Sequence, residues 1–263
     1  NRAIKMNSKI KKIIKLKKNR KIICLTSYSK NISEIIDPVV DIVLVGDSLG
    51  SVLYDYKSTR SVTLKAMIEH SKSARHGIKK SLMVVDMPYN TYRNKIEALK
   101  NAKKIIKETK CDAVKLEGGL KILEIVEHLI KNKISVMGHL GILPQSVKGK
   151  FKYKGKKIGE RKRILNEAIL LQKKGVFSIV LECIETSLAK EISKNLEIPT
   201  IGIGSSKFCD GQVLVTDDLI GLNQTKIRFV KKFGNVNKDI KKSVLKFKKE
   251  VLSKKFPSKK YSY

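Results

Sequence analysis

No stretch of the chain holds the roughly 18 uninterrupted apolar residues that a membrane-crossing helix needs, so a transmembrane reading is excluded from the outset. The four cysteines, Cys24, Cys111, Cys183 and Cys209, share no CxxC or metal-ligand spacing. Three lie in or beside apolar runs, which points to reduced thiols in a cytoplasmic protein rather than to disulfides or zinc. No GxGxxG follows the first apolar strand, and Gly202-Ile203-Gly204 comes too late to read as a dinucleotide fingerprint. Acidic residues are scarce: 24 Asp and Glu stand against 57 Lys and Arg, a net charge of +33. That balance invites a nucleic-acid reading. Arginine, the residue suited to forked contacts with bases and phosphates, is however far outnumbered by lysine. The lysines are spread over nearly every expected helix, and no aromatic-rich or finger-like motif accompanies them. The excess therefore reads as solvated helix surface, with no specific nucleic-acid partner expected.

What is present is a regular alternation. At 263 residues with 41% hydrophobic and 31% charged content, the chain suits one large soluble domain spanning 1–263. Ser8 to Lys17 carries Ile10, Ile13 and Ile14 at helical spacing opposite lysines, an amphipathic first helix rather than a secretory signal. Short apolar runs then recur as strands: Ile22–Leu25, Ile42–Val45, Leu82–Val85, Ala113–Glu117, Ile134–Met137, Ser178–Leu181, Thr200–Ile203 and Gln212–Val215. Between them lie helical patterns, among them one opened by Thr63 as N-cap, one marked by Ile96, Leu99, Ala102, Ile105 and Ile106, and one from about Lys162 to Lys174. Ile240, Val244, Phe247 and Val251 mark a C-terminal helix. Strands this short and this apolar are covered on both faces, so they are parallel and joined by helical crossovers. A count near eight predicts a closed α/β barrel of the (β/α)8, TIM type, rather than an open sheet.

Polar residues gather where the strands stop. Val45-Gly46-Asp47-Ser48 leaves a buried strand on a carboxylate and a hydroxyl. Asp86 ends the next strand, Lys115 and Glu117 the one after, then His139, then Glu182. The steps between Asp47, Asp86, Glu117, His139 and Glu182 are 39, 31, 22 and 43 residues, each about one strand-helix unit. In a parallel barrel all these ends emerge on one face. Asp47 and Ser48 alone could as well cap the next helix. Asp47, Asp86 and Glu117 supply hard oxygens for an octahedral divalent cation. Lys115 and Glu117 share one side of their strand, which suits an anionic substrate beside a metal; a bracing Lys–Glu ion pair is the bland alternative. Glu182 is a candidate general base. His139 is either a donor facing the ligand or a core histidine bonded to backbone.

These stretches carry a resemblance. Val43-Leu44-Val45-Gly46-Asp47-Ser48-Leu49-Gly50, Ser58-Thr59 with Val62-Thr63, Asp86-Met87-Pro88, Val114 to Gly119, Met137 to Gly141 with Pro144-Gln145-Ser146-Val147, Leu181-Glu182-Cys183, Ile198 to Gly204, Cys209 to Gln212 and Phe256-Pro257 resemble the ketopantoate hydroxymethyltransferase family. They do so in family order over about residues 20 to 260. The resemblance implies a homo-oligomeric (β/α)8 enzyme of the cytoplasm, often decameric, with one Mg2+ per subunit. It implies Asp47, Asp86 and Glu117 as metal-site acids, and Asp47, Ser48, Asp86 and Lys115 as substrate contacts, with His139 expected beside them from its place at a strand end. Glu182 matches the proton acceptor. The implied reaction moves a hydroxymethyl group from 5,10-methylenetetrahydrofolate to 3-methyl-2-oxobutanoate, giving 2-dehydropantoate for pantothenate and coenzyme A synthesis. The chain departs from the family pattern at four places: Asp55 for glycine, Ser205-Ser206 for Ala-Gly, Tyr28-Ser29 for Tyr-Asp and Lys154-Gly155 for Gln-Gly. A barrel enzyme of the phosphoenolpyruvate/isocitrate-lyase kind is the near alternative, although the Lys-Lys-Cys-Gly-His segment of isocitrate lyase is missing. A basic nucleic-acid-binding protein is the distant one.

Overall fold

The computed structural model describes residues 7–17, 19–146, 153–223 and 226–263; Val147 and most of the basic loop before Lys154 lie outside them. The chain forms two compact units, Asn1–Val215 and Thr216–Tyr263.

In the first unit eight parallel strands close on themselves: β1 (Ile22–Thr26), β2 (Ile42–Val45), β3 (Leu82–Asp86), β4 (Ala113–Glu117), β5 (Val136–Gly141), β6 (Ser178–Glu182), β7 (Thr200–Ile203) and β8 (Gly211–Leu214). Each pairs with its sequence neighbour, and β1 pairs with β8 to complete the barrel. The helices between them are α2 (Lys30–Ile36), α3 (Leu49–Tyr54), α4 (Leu64–Gly77), α5 (Lys95–Thr109), α6 (Leu123–Lys131), α7 (Ile158–Lys174) and α8 (Thr186–Asn195). Local chemistry starts and stops them. Thr63 Oγ1 accepts the Ala66 N–H at 3.1 Å to open α4, and Asn94 does the same for Glu97 at 2.9 Å to open α5. Gly175, at φ +96°, closes α7.

Strand alternation sorts the core into two. Val43, Val45, Met83, Val85, Val114 and Leu116 face outward against the helices, while Ile42, Leu44, Leu82, Val84, Ala113 and Met137 fill the lumen. The first helix, α1 (Ser8–Leu16), sends Ile10 and Ile13 into that inner cluster. Burying each is worth about 1.5–3 kcal/mol, which is why the apolar stripe read from the sequence folds onto the N-terminal end of the strands. The opposite end is left to the polar residues.

Several strand ends shift by one residue and α7 starts at Ile158 instead of about Lys162; two further features differ from expectation. β5 begins at Val136 rather than Ile134 and runs through His139 to Gly141. Ile134 is absorbed by the end of α6, its N–H bonding Leu129 O at 3.0 Å after the left-handed Lys133. The strand then persists because β6 continues beside it, with Gly141 opposite Glu182. The short α3 was not foreseen; it ends on Asp55 at φ +54°, a left-handed position that glycine takes freely and aspartate tolerates.

The second unit holds α9 (Thr216–Leu219) and α10 (Val236–Leu252), tied by Phe233 N–H to Leu219 O and Val236 N–H to Ile220 O. No residue of α10 is buried, and its expected apolar stripe is solvent-facing.

Candidate active site

The lumen-facing pattern that packs Leu82, Val84, Ala113 and Met137 continues, two or four residues on, into Asp86, Lys115, Glu117 and His139. All four are buried, as is Asp47, which leaves the end of β2. Register sets them side by side: Asp86 lies opposite Lys115 and Glu117 opposite His139. Gly46 precedes Asp47 against the same cluster. A Cβ there would sit 2.9 Å from Ser48 Oγ and 3.5 Å from Asp86 Oδ2.

Asp86 Oδ2 accepts the Asp47 backbone N–H at 3.0 Å, and Asp86 Oδ1 lies 3.2 Å from Lys115 Nζ. Oδ1 is buried, and the Lys115 ammonium is the group it faces. The short ion pair of Lys115 is thus with Asp86 and not the bracing pair with Glu117. Lys115 Nζ also lies 3.1 Å from His139 Nδ1. Burial alone would discharge the lysine, but Asp86, Glu117 and Asp47 outweigh it and hold the ammonium charged. An ammonium can only donate, so Nδ1 accepts and the histidine proton sits on Nε2. Nε2 lies 3.2 Å from Glu182 Oε2. Burial, then Lys115, lowers the His139 pKa, so the ring is neutral. His139 thus lies among side chains, its Nδ1 toward Lys115 and its Nε2 toward Glu182.

Three carboxylates surround one lysine here. Burial and then Asp86 push Asp47 up to about 7, despite the opposing charge of Lys115. Burial raises Glu117 well above its usual range, with Lys115 opposing and Asp47 adding to the rise. Glu117 Oε1 is 3.6 Å from His139 Nδ1, and its Oε2 accepts the Gln145 N–H at 3.0 Å. Ser48 Oγ pairs with Tyr28 OH at 2.8 Å. The sequence-predicted residues are therefore brought together: Asp47, Asp86, Lys115, Glu117 and His139 form one contact network, and Glu182 joins it through His139. Ser48 stands at its edge. Among the described residues no three of His, Cys, Asp and Glu are gathered closely enough to hold a metal ion between them.

Two participants were missed. Gln145 donates from Nε2 to Asp47 Oδ2 at 2.7 Å, and Tyr92 OH donates to Gln145 Oε1 at 2.5 Å. Gln145 sat in a quoted motif, but an uncharged side chain in a loop offered no chemical signal; Tyr92 offered none at all. At the rim, Gly141 has φ +103°, and a Cβ there would overlap Glu182 O, so only glycine lets β5 and β6 end this close.

A closed parallel barrel with buried acids, a lysine and a histidine converging at the C-terminal strand ends is an enzyme of the (β/α)8 class. The description of ketopantoate hydroxymethyltransferase matches residues 7–259. The chain belongs to the ketopantoate hydroxymethyltransferase family. The 3-methyl-2-oxobutanoate hydroxymethyltransferase of Pelagibacter ubique (strain HTCC1062) is 67% identical over 258 residues, covering 98% of this chain and 100% of the relative. That of Clostridium botulinum (strain Langeland) is 44% identical over 251 residues, covering 94% and 91%. Among solved structures, phosphonopyruvate hydrolase in complex with oxalate and Mg++ superposes with a TM-score of 0.61 at 7% identity, covering 97% of this chain and 93% of that one. At that identity the likeness shows the barrel alone. The protein is accordingly a hydroxymethyltransferase, which decides against the lyase-type alternative.

Proposed function

We propose that the chain transfers the one-carbon unit of 5,10-methylenetetrahydrofolate to C3 of 3-methyl-2-oxobutanoate, with water supplying the hydroxyl, to give 2-dehydropantoate and tetrahydrofolate as a step of pantothenate synthesis. The observation that carries this reading is the charge deficit of the site: Asp47, Asp86 and Glu117 are buried around the single ammonium of Lys115. Such a cluster is relieved by a divalent cation. Its donors are hard oxygens, Asp86 Oδ1 faces nothing but the Lys115 ammonium among the described residues, and Gln145 occupies only one oxygen of Asp47, so the residues fit Mg2+. Asp47 and Asp86 would hold it, the remaining positions going to water and substrate oxygens. Glu117, expected as the third acid, contributes its charge from beside His139. Bound there, Mg2+ would polarise the 2-oxoacid and acidify its C3 proton.

The chain's own groups supply the rest. Lys115 faces the substrate carboxylate with a fixed positive charge. Ser48 offers its backbone N–H, its hydroxyl being paired with Tyr28. Glu182 takes the C3 proton on a carboxylate oxygen, leaving the C3 electron pair to form the new carbon–carbon bond. His139, with its proton on Nε2 facing Glu182, holds that base in place. A homo-oligomer, a decamer in the family's usual form, and a cytoplasmic location belong to the same reading; light scattering on the full chain tests the assembly.

The test is direct. With 3-methyl-2-oxobutanoate, Mg2+ and methylenetetrahydrofolate the protein should form 2-dehydropantoate; cleavage of another 2-oxoacid without that product would sink the reading. Glu182→Gln should bind the 2-oxoacid but slow C3 deuterium exchange by about a hundredfold or more. An unchanged exchange rate would remove Glu182 from the base's role.

A further inference from the structure

Gln145 comes from the loop after β5, yet it reaches the ends of three other strands. Its Nε2 donates to Asp47 Oδ2 at 2.7 Å beyond β2 and to Met87 O at 3.0 Å beyond β3. Its backbone N–H donates to Glu117 Oε2 at 3.0 Å at the end of β4. Its Oε1 accepts from Tyr92 OH at 2.5 Å. The residue is buried, and both amide protons and the amide oxygen are used.

This arrangement admits one amide orientation only. A flipped amide would set Oε1 against the Asp47 carboxylate and the Met87 carbonyl, two acceptors facing an acceptor, and would aim an N–H at the Tyr92 hydroxyl proton. The two acceptors facing Nε2, Asp47 Oδ2 and Met87 O, enforce the choice, and Tyr92 supports it from the other side by donating to Oε1, with Glu117 O 3.4 Å from the same hydroxyl. We propose that Gln145 is a positioning residue for the cation site, its amide braced by Met87 O and Tyr92 so that it fixes Asp47 through Oδ2 and leaves Oδ1 free to ligate. Gln145 touches neither substrate nor metal. It acts through Asp47, and its main chain fixes Glu117 in the same way, so one loop residue sets the spacing of two site acids. Hydrogen-bond partners of metal-holding carboxylates typically govern metal affinity by ten- to a hundredfold.

The inference rests on the reading of Asp47 and Asp86 as cation ligands, and the experiment separates the two. Mn2+, a hard cation visible by electron paramagnetic resonance, is titrated into the metal-free full chain without substrate. Gln145→Met keeps the length of the side chain and the backbone N–H to Glu117 but removes the donor to Asp47. It should weaken Mn2+ binding by about tenfold or more. Tyr92→Phe keeps the ring but takes the donor from Gln145 Oε1 and loosens the amide, and should weaken binding by about threefold or more, with a melting temperature near that of wild type. Should Gln145→Met not fold, Tyr92→Phe decides alone. A merely structural role would lower the melting temperature and leave the Mn2+ affinity of the folded protein unchanged, and that result overturns the inference. A wild-type chain that holds no Mn2+, or an Asp47→Asn chain that holds it equally well, overturns the cation reading and this inference with it.

Discussion

Asp47 is held in a place that suits a ligand and not a fold. Burial, followed by the charge of Asp86, pushes its carboxyl up to about 7. An acid raised in the folded state binds its proton there over a range in which the unfolded chain has released it. Stability therefore falls as pH rises from about 4, the unfolded value, to about 7, and stays low above. Asp47→Asn removes this cost. Without divalent ions the variant should be more stable than wild type at pH 8, by about 1–3 kcal/mol in urea unfolding, with no gain near pH 4. It should at the same time lose turnover. Such an exchange of stability for function is what a strained site predicts; a variant less stable than wild type at pH 8 would show that Asp47 earns its place structurally. At this scale the sequence was legible where side chains carry charge. Asp86, Lys115, Glu117, His139 and Glu182 stood out as polar residues ending apolar runs. Gln145 and Tyr92 did not, because their roles exist only once a loop folds back over three strand ends.

The elements were read from alternation, and they hold wherever periodicity alone decides them. β5 was misplaced because Ile134 is apolar and sits before the strand, yet its N–H is needed to close α6. Backbone hydrogen bonding, which hydrophobic pattern does not encode, made that choice. A similar backbone requirement gives Asp37 its role. It ends α2 and accepts the N–H groups of Lys79, Lys80 and Ser81 in the turn between α4 and β3, at 2.8–3.1 Å. Burial acts to raise its pKa, but these bonds outweigh burial and the carboxyl lies below its usual value. A depressed acid stabilises the fold above its unfolded pKa, and that stability is lost as pH falls through the folded value. Asp37→Asn keeps one acceptor oxygen and should cost about 1–3 kcal/mol at pH 7. The gap between variant and wild type should close as pH drops below about 4. A gap that stays constant from pH 7 to pH 3 would show that the charge is not what these N–H groups require.

Across the whole molecule the outstanding quantity is a net charge of +33. The site does not use it: one buried lysine, Lys115, serves the cluster, and the other groups there are acidic or neutral. On α5 the lysines Lys100, Lys103, Lys104 and Lys107 are exposed, with Lys100 and Lys104, and Lys103 and Lys107, one turn apart. Like charges at that spacing cost about 0.2–0.5 kcal/mol per pair, and a chain so far from neutrality repels itself in the compact state. Replacing Lys103 with glutamate and Lys107 with glutamine would shift the net charge from +33 to +30, put a carboxylate one turn from Lys100 and leave no like charge one turn on at 107. At low ionic strength the double variant should therefore melt higher than wild type by a few degrees. At about 1 M salt the Debye length shrinks to about 3 Å, and the difference should largely vanish. The rate of hydroxymethyl transfer should stay within about twofold of wild type at both salt concentrations. If turnover instead fell in step with the lost charge, the basic surface would be steering an anionic substrate toward the barrel mouth. The lysines would then belong to the function rather than to the solvated exterior.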